Sequence, residues 1–124
     1  MTIDFSAWLD DNTAIEDASR AALAWRRIQD KPTSVTFERP NGTSVGAQTV
    51  RVELSEFARD ANSPAGAQTV RQAIVFGVRN HPDGSVADTD VKSGYTFILN
   101  NKEYRVADVV ETLGEVQARA EVVS

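Results

Sequence analysis

The residues best suited to chemistry in this chain gather in one stretch, His81-Pro82-Asp83-Gly84 followed by Asp88-Thr89-Asp90. A histidine beside carboxylates is the raw material of general acid–base catalysis, and clustered aspartates are the raw material of a cation site. Neither chemistry is completed here. His81 is the sole histidine, it precedes a proline in a turn-like segment, and no cysteine or Gly-x-Ser-x-Gly nucleophile motif accompanies it. Asp83, Asp88 and Asp90 lack the spacing and the closing Glu of an EF-hand loop. The glycines fall at turns and form no phosphate cradle. The sequence therefore predicts no enzyme activity, no cofactor and no metal site, and His81 reads as a solvated turn residue.

Tyr95, Phe97 and Tyr104 are the other chemical candidates, because aromatics on strands act as stacking platforms for bases. Tyr95 and Phe97 share one face of a strand, which a hydrophobic core also requires, and few basic residues interleave with them. They read as core. With 13 Lys and Arg against 18 Asp and Glu, and a net charge of −5, the chain shows no phosphate-binding footprint. The absence of cysteine excludes disulfides and thiolate sites and suits a reducing compartment. No apolar run approaches the roughly 20 residues that span a bilayer. The acidic N-terminus does not read as a signal peptide, so the chain is expected to stay where it is made.

The elements that position these residues follow from periodicity. Residues 1–12 read as an N-terminal arm with Phe5, Trp8 and Leu9 among acidic and small residues. Residues 13–124 read as a single domain. Thr13 with Glu16 three positions on is a capping-box pattern, and Pro32 stops a helix, so a flanking helix is expected over 13–30. Its apolar stripe is read as Ile15, Ala18, Ala22 and Trp25, with Ala14, Ala21 and Ile28 beside them; Leu23 falls outside it. Ser34 to Arg39 and Gln48 to Leu54 alternate with period two around Asn41-Gly42, the pattern of a hairpin. Ser55 to Arg59 has the makings of a short helix, and Asn62 to Gly66 is loop chemistry. Gln68 to Arg79 is apolar on both faces towards its end, as in a central strand, with Gly77 at a bend or bulge. From Lys92 to Val123 the alternation continues through turns at Asn100-Asn101 and Glu111–Gly114, an antiparallel meander with one buried face. Gly46-Ala47-Gln48-Thr49-Val50-Arg51 recurs as Gly66-Ala67-Gln68-Thr69-Val70-Arg71, but two copies with unmatched flanks make no solenoid.

In order, then, the chain carries a helix ending in Arg26-Arg27, a Val35-Thr36-Phe37 hairpin, an irregular stretch, Ala73-Ile74-Val75-Phe76-Gly77, and a His-Pro loop. Asp88-Thr89-Asp90-Val91-Lys92-Ser93-Gly94-Tyr95-Thr96-Phe97, Tyr104-Arg105-Val106-Ala107-Asp108-Val109 and Gly114-Glu115-Val116-Gln117-Ala118-Arg119-Ala120-Glu121 follow. This order resembles the head-tail joining proteins of tailed bacteriophages, the head-completion or stopper proteins of the neck. The likeness is densest from Ile74 to Glu121. Where the family has an acidic residue after the glycine of its last-third motif, this chain has Tyr95.

The resemblance implies a mainly β protein: a small antiparallel β-barrel or sandwich of about six strands with an N-terminal α-helix. It also implies a homo-oligomeric ring of six or twelve copies in the virion neck, assembled in the bacterial host cytoplasm and touching no membrane. The ring would meet the portal and adaptor connector on one side and tail proteins on the other, with packaged double-stranded DNA passing through without sequence-specific binding. In relatives a long loop projects into the channel; its counterpart by position is Ser55-Glu56-Phe57-Ala58-Arg59-Asp60-Ala61-Asn62-Ser63-Pro64-Ala65-Gly66. Subunit contacts are expected from Phe5, Trp8, Leu9 and Leu23, or from an edge strand near Val122-Val123. The alternatives are a small β-barrel nucleic-acid-binding module and another neck component such as a tail terminator.

Overall fold

The computed structural model describes the backbone of residues 5–59 and 68–123, and the side chains of residues 15–55 and 71–123. One helix, α1 (Phe5–Asp30), precedes six strands: β1 (Thr33–Glu38), β2 (Ser44–Arg59), β3 (Gln68–Val78), β4 (Thr96–Leu99), β5 (Lys102–Thr112) and β6 (Glu115–Val122). The strands close into an antiparallel barrel in the order β1-β2-β3-β6-β5-β4. Of the two expected architectures, barrel and sandwich, the barrel is the one formed.

Turn chemistry sets the hairpins. Gly42 sits at φ +88 in the β1–β2 turn, where the Asn41 side chain accepts from both the amide and the hydroxyl of Thr43. Asn100 and Asn101 both take positive φ, the two-residue connection whose twist matches the flanking strands. The long β3–β4 connection is pinned to β3 and β2 at two adjacent residues, Thr89 and Asp90. Thr89 exchanges hydrogen bonds with Val78, through its amide at 2.8 Å and its hydroxyl at 2.9 Å. Gln48 donates to the carbonyl of Asp90 and accepts from its amide.

Inside the barrel, alternation does what period two demands. Val35 and Phe37 of β1, Val50 and Val52 of β2, Ala73 and Val75 of β3, Phe97 of β4, Tyr104 and Val106 of β5, and Val116, Ala118 and Ala120 of β6 are all buried. Phe97 meets Phe37 edge-on at 5.4 Å and stacks on Tyr104 at 5.3 Å. The small alanines of β6 leave the width this aromatic trio needs. A second cluster forms on the outside of β3, where Val78 packs against Ala21, Ala24 and Ile28 of α1, with Trp25 and Val86 at its margin. The helix thus explains why β3 is apolar on both faces.

Several sequence expectations are corrected. The helix is described from Phe5, so Thr13 lies inside it and is not its N-terminal boundary; no proline or glycine between Phe5 and Asp30 interrupts it, and the backbone from Phe5 to Asn12 is helical. Its packed stripe is Ala21, Ala24 and Ile28, whereas Ile15 is 66% exposed and Ala22 also faces solvent. An alanine-rich helix offers several apolar stripes, and the packing partner chooses among them. Ser55 to Arg59 is strand, because each residue finds a partner in β3 from Gln72 to Gln68. Gly77 pairs with Val116 in an unbroken ladder and marks no bulge; a Cβ there would lie 2.5 Å from the Thr89 hydroxyl, so the glycine serves a close approach. Lys92 to Tyr95 is a turn ahead of the shorter β4, with the Tyr95 amide bonded to the Lys92 carbonyl. The region of Val122 and Val123 is no free edge: Val122 pairs with Tyr104, and the Val123 amide donates to Glu103.

Candidate functional site

The stretch with the most chemically equipped side chains folds into a small, self-satisfied turn. His81 accepts the Asp83 amide at Nδ1 and meets the Trp25 ring edge-on at 6.3 Å. It is therefore partly docked against the helix and not fully solvated. Asp83 accepts from the amide and the hydroxyl of Ser85, and these bonds, aided by His81, hold its carboxyl below the usual 3.8. Asp88 accepts the Asn80 amide, while the Asp90 amide is engaged by Gln48. Each aspartate has a structural task within the connection. Among the described residues, no three His, Asp or Glu side chains converge to hold a metal ion.

The aromatic candidates are core residues. Tyr95, Phe97 and Tyr104 are exposed by 6%, 2% and 3%, which leaves no ring face for a base. Several arginines are tied down as well. Arg27 reaches Glu115 at 2.8 Å and lies over the Phe76 ring; Arg51 bridges Glu53 and Asp30; Arg79 holds Glu111. Arg119 is shared between Asp108 and Glu121, and the Asp108 contact keeps its guanidinium pKa above the ordinary value. Paired arginines of this kind offer phosphates little to grip.

What the fold builds instead is a projecting ribbon. The β2–β3 ladder runs without a break from Arg51↔Phe76 to Arg59↔Gln68. Neighbouring strands support only its base: β1 reaches no farther than Val50, and β6 no farther than Gln72. Glu56 to Arg59 and Gln68 to Arg71 therefore pair only with each other within the described sheet. Ser55 to Arg59, expected as part of a channel loop, are the rising limb of this ribbon. Asp60 to Gly66 lie outside the described residues, as do the side chains of Glu56 to Arg59.

The expected contact residues fall into two groups. Leu23 is 62% exposed on α1, on the side away from Ala21, Ala24 and Ile28. Phe5, Trp8 and Leu9 belong to the same continuous helix, but their side chains lie outside the described residues. The structure places Leu23 and the ribbon on separate elements and does not bring them together. Sequence reasoning missed a gap in the barrel wall beside Ile98, which is 71% exposed; the only signal was the brevity of the Thr96–Leu99 run.

No model of a known protein family matches the chain, and a search of curated proteins finds no match.

Proposed function

We propose that the chain is a structural protein of the tailed-phage neck, forming a ring between the connector and the tail without catalysis. The observation that carries this reading is the β2–β3 ribbon on a closed barrel with one flanking helix. A two-stranded stem is a physically sound way to hold a segment away from the barrel and into a channel, and in sequence its two strands are joined by residues 60–67. The resemblance read from Ile74 to Glu121 gives that projection a place, the DNA conduit.

Electrostatics supports the same reading. A net charge of −5, with Arg27, Arg51, Arg79 and Arg119 engaged by carboxylates, favours a wall that DNA slides past. Ring closure needs one patch to meet a different patch on the next copy. The outer side of α1, with Ile15 and Leu23 exposed, supplies one such patch.

Electron microscopy and native mass spectrometry of the chain with its viral neighbours test the proposal. The expected result is a closed ring on the tail side of the connector with the ribbons directed inward. A stable monomer absent from purified virions would overturn it.

A further inference from the structure

We propose that the barrel wall between β1 and β4 is a docking site for an extended, basic segment of a partner protein, which adds there as a strand. Five of the six ladders around the barrel hold four or more residue pairs, whereas β1 and β4 meet at Glu38↔Thr96 alone. Antiparallel hydrogen bonding alternates along each strand. The Val106 amide bonds to the Tyr95 carbonyl at 2.8 Å, which directs Tyr95, Phe97 and Leu99 to β5 and turns the backbone groups of Thr96 and Ile98 towards β1. The Arg39 amide bonds to the Thr43 carbonyl, which by the same alternation turns Ser34, Thr36 and Glu38 towards β4. Past the Glu38–Thr96 pair the two strands part. Thr36 and Ile98, next in line to pair, do not.

A groove of about 260 Å³ opens at this point, and its lining includes Ser34, Thr36, Glu38, Thr96, Ile98 and Glu103. Its chemistry specifies the occupant. Alternating N–H and C=O groups on a strand edge are matched by another extended backbone, the mode of β-strand addition. The edge from Ser34 to Glu38 is about 13 Å long at the rise of a strand, enough for roughly four residues. Glu38 and Glu103 stand at the groove with no cationic partner among the described residues. Arg105, opposite Thr96 in the β4–β5 ladder, leaves an excess of negative charge. Ile98 offers an apolar anchor at 71% exposure. The matching segment alternates Lys or Arg with apolar residues, and its docking does not depend on ring formation.

The test uses the full chain and a blocked hexapeptide, Lys-Val-Lys-Val-Lys-Val, followed by amide NMR. Expected are saturable shifts centred on Ser34, Thr36 and Ile98, slower hydrogen exchange at Thr36 and Ile98 on binding, and no binding of the Glu-for-Lys peptide. Replacing both exposed carboxylates (E38K with E103K) should weaken binding at least tenfold while the circular dichroism spectrum stays unchanged. Ile98→Lys, which replaces the exposed apolar anchor with a like charge, should weaken it as well. Shifts that spread over the acidic surface, or that ignore all three substitutions, would overturn the proposal. So would Thr36 and Ile98 amides that exchange in the free protein as slowly as Val75. Self-association of the chain that Ile98→Lys abolishes would assign the groove to a second copy and likewise overturn it.

Discussion

Gly114 and Ala21 touch backbone to backbone: a Cβ built on Gly114 would lie 2.2 Å from the Ala21 amide nitrogen, and 2.6 Å from the Asp17 carbonyl oxygen. The β5–β6 turn thereby fixes where α1 crosses the barrel, and Gly114 also takes φ +71. Ala21, fully buried, is the small residue such a crossing requires on the helix side. Gly114→Ala meets both penalties, a left-handed backbone and a collision with backbone that has no rotamer to yield. The expected loss is about 2–3 kcal/mol in urea unfolding, with earlier hydrogen exchange at Ala21 and Ala24 as the helix lifts. Unchanged stability would mean that the turn does not dock on the helix.

Thr89 secures the long connection by accepting the Val78 amide at its hydroxyl, beside Gly77. Thr89→Ala leaves that part-buried amide without its side-chain acceptor and should cost about 1–2 kcal/mol. Thr89→Ser keeps the acceptor and should recover most of it. Hydrogen exchange at Val78 in the two variants separates the hydroxyl from the lost methyl.

The parts legible in the sequence were those governed by local period and turn chemistry. Val106, Val116 and Ala118 could be placed inside because alternation admits no other register, and Asn100-Asn101 announces its own turn. The start of α1 was not legible. A capping pattern at Thr13 is a local preference, and an uninterrupted chain of helix-compatible residues upstream overrides it. Nor was the helix face, since Ala14, Ala18, Ala22 and Ile15 form as good a stripe as Ala21, Ala24 and Ile28 until Gly114 selects between them. Ser55 to Arg59 look polar and irregular because a ribbon beyond the barrel buries no continuous face, and its pairing with Gln68 to Gln72 is long-range. In the candidate site, Leu23 was legible as an exposed apolar residue; the gap beside Ile98 was not, because an unpaired edge depends on where the neighbouring strand goes.

Phe97 and Leu23 should respond oppositely to mutation. Phe97 stands between Phe37 and Tyr104 at 2% exposure, so Phe97→Ala removes the centre of the aromatic trio and should cost about 3–5 kcal/mol. Leu23→Asp changes a side chain on the solvent side of α1 and should shift unfolding by less than about 0.5 kcal/mol. On the proposed function, the same Leu23→Asp should weaken ring assembly, read by native mass spectrometry. A Leu23 variant that unfolds like the Phe97 variant would show that this face is packed within its own chain.

The turn around Asp83 makes a pH prediction whose sign follows from its hydrogen bonds. The Ser85 amide and hydroxyl both stabilise the charged carboxylate, so the folded pKa lies below the ordinary 3.8. A depressed carboxylate contributes stability that is fully present above its unfolded pKa and is lost as pH falls through the folded value. The window therefore opens just above 3.8 and extends below it, and the loss should register first in the His81–Ser85 turn, since Asp83 is fully exposed. The carboxyl ¹³C shift of Asp83 should titrate with a midpoint below 3.8. Ser85→Ala removes the hydroxyl but keeps the amide, so the midpoint should rise part of the way back. A wild-type midpoint at or above 3.8 would mean that the Ser85 bonds do not persist in solution, and with them would go the reason for treating Asp83 as a structural residue.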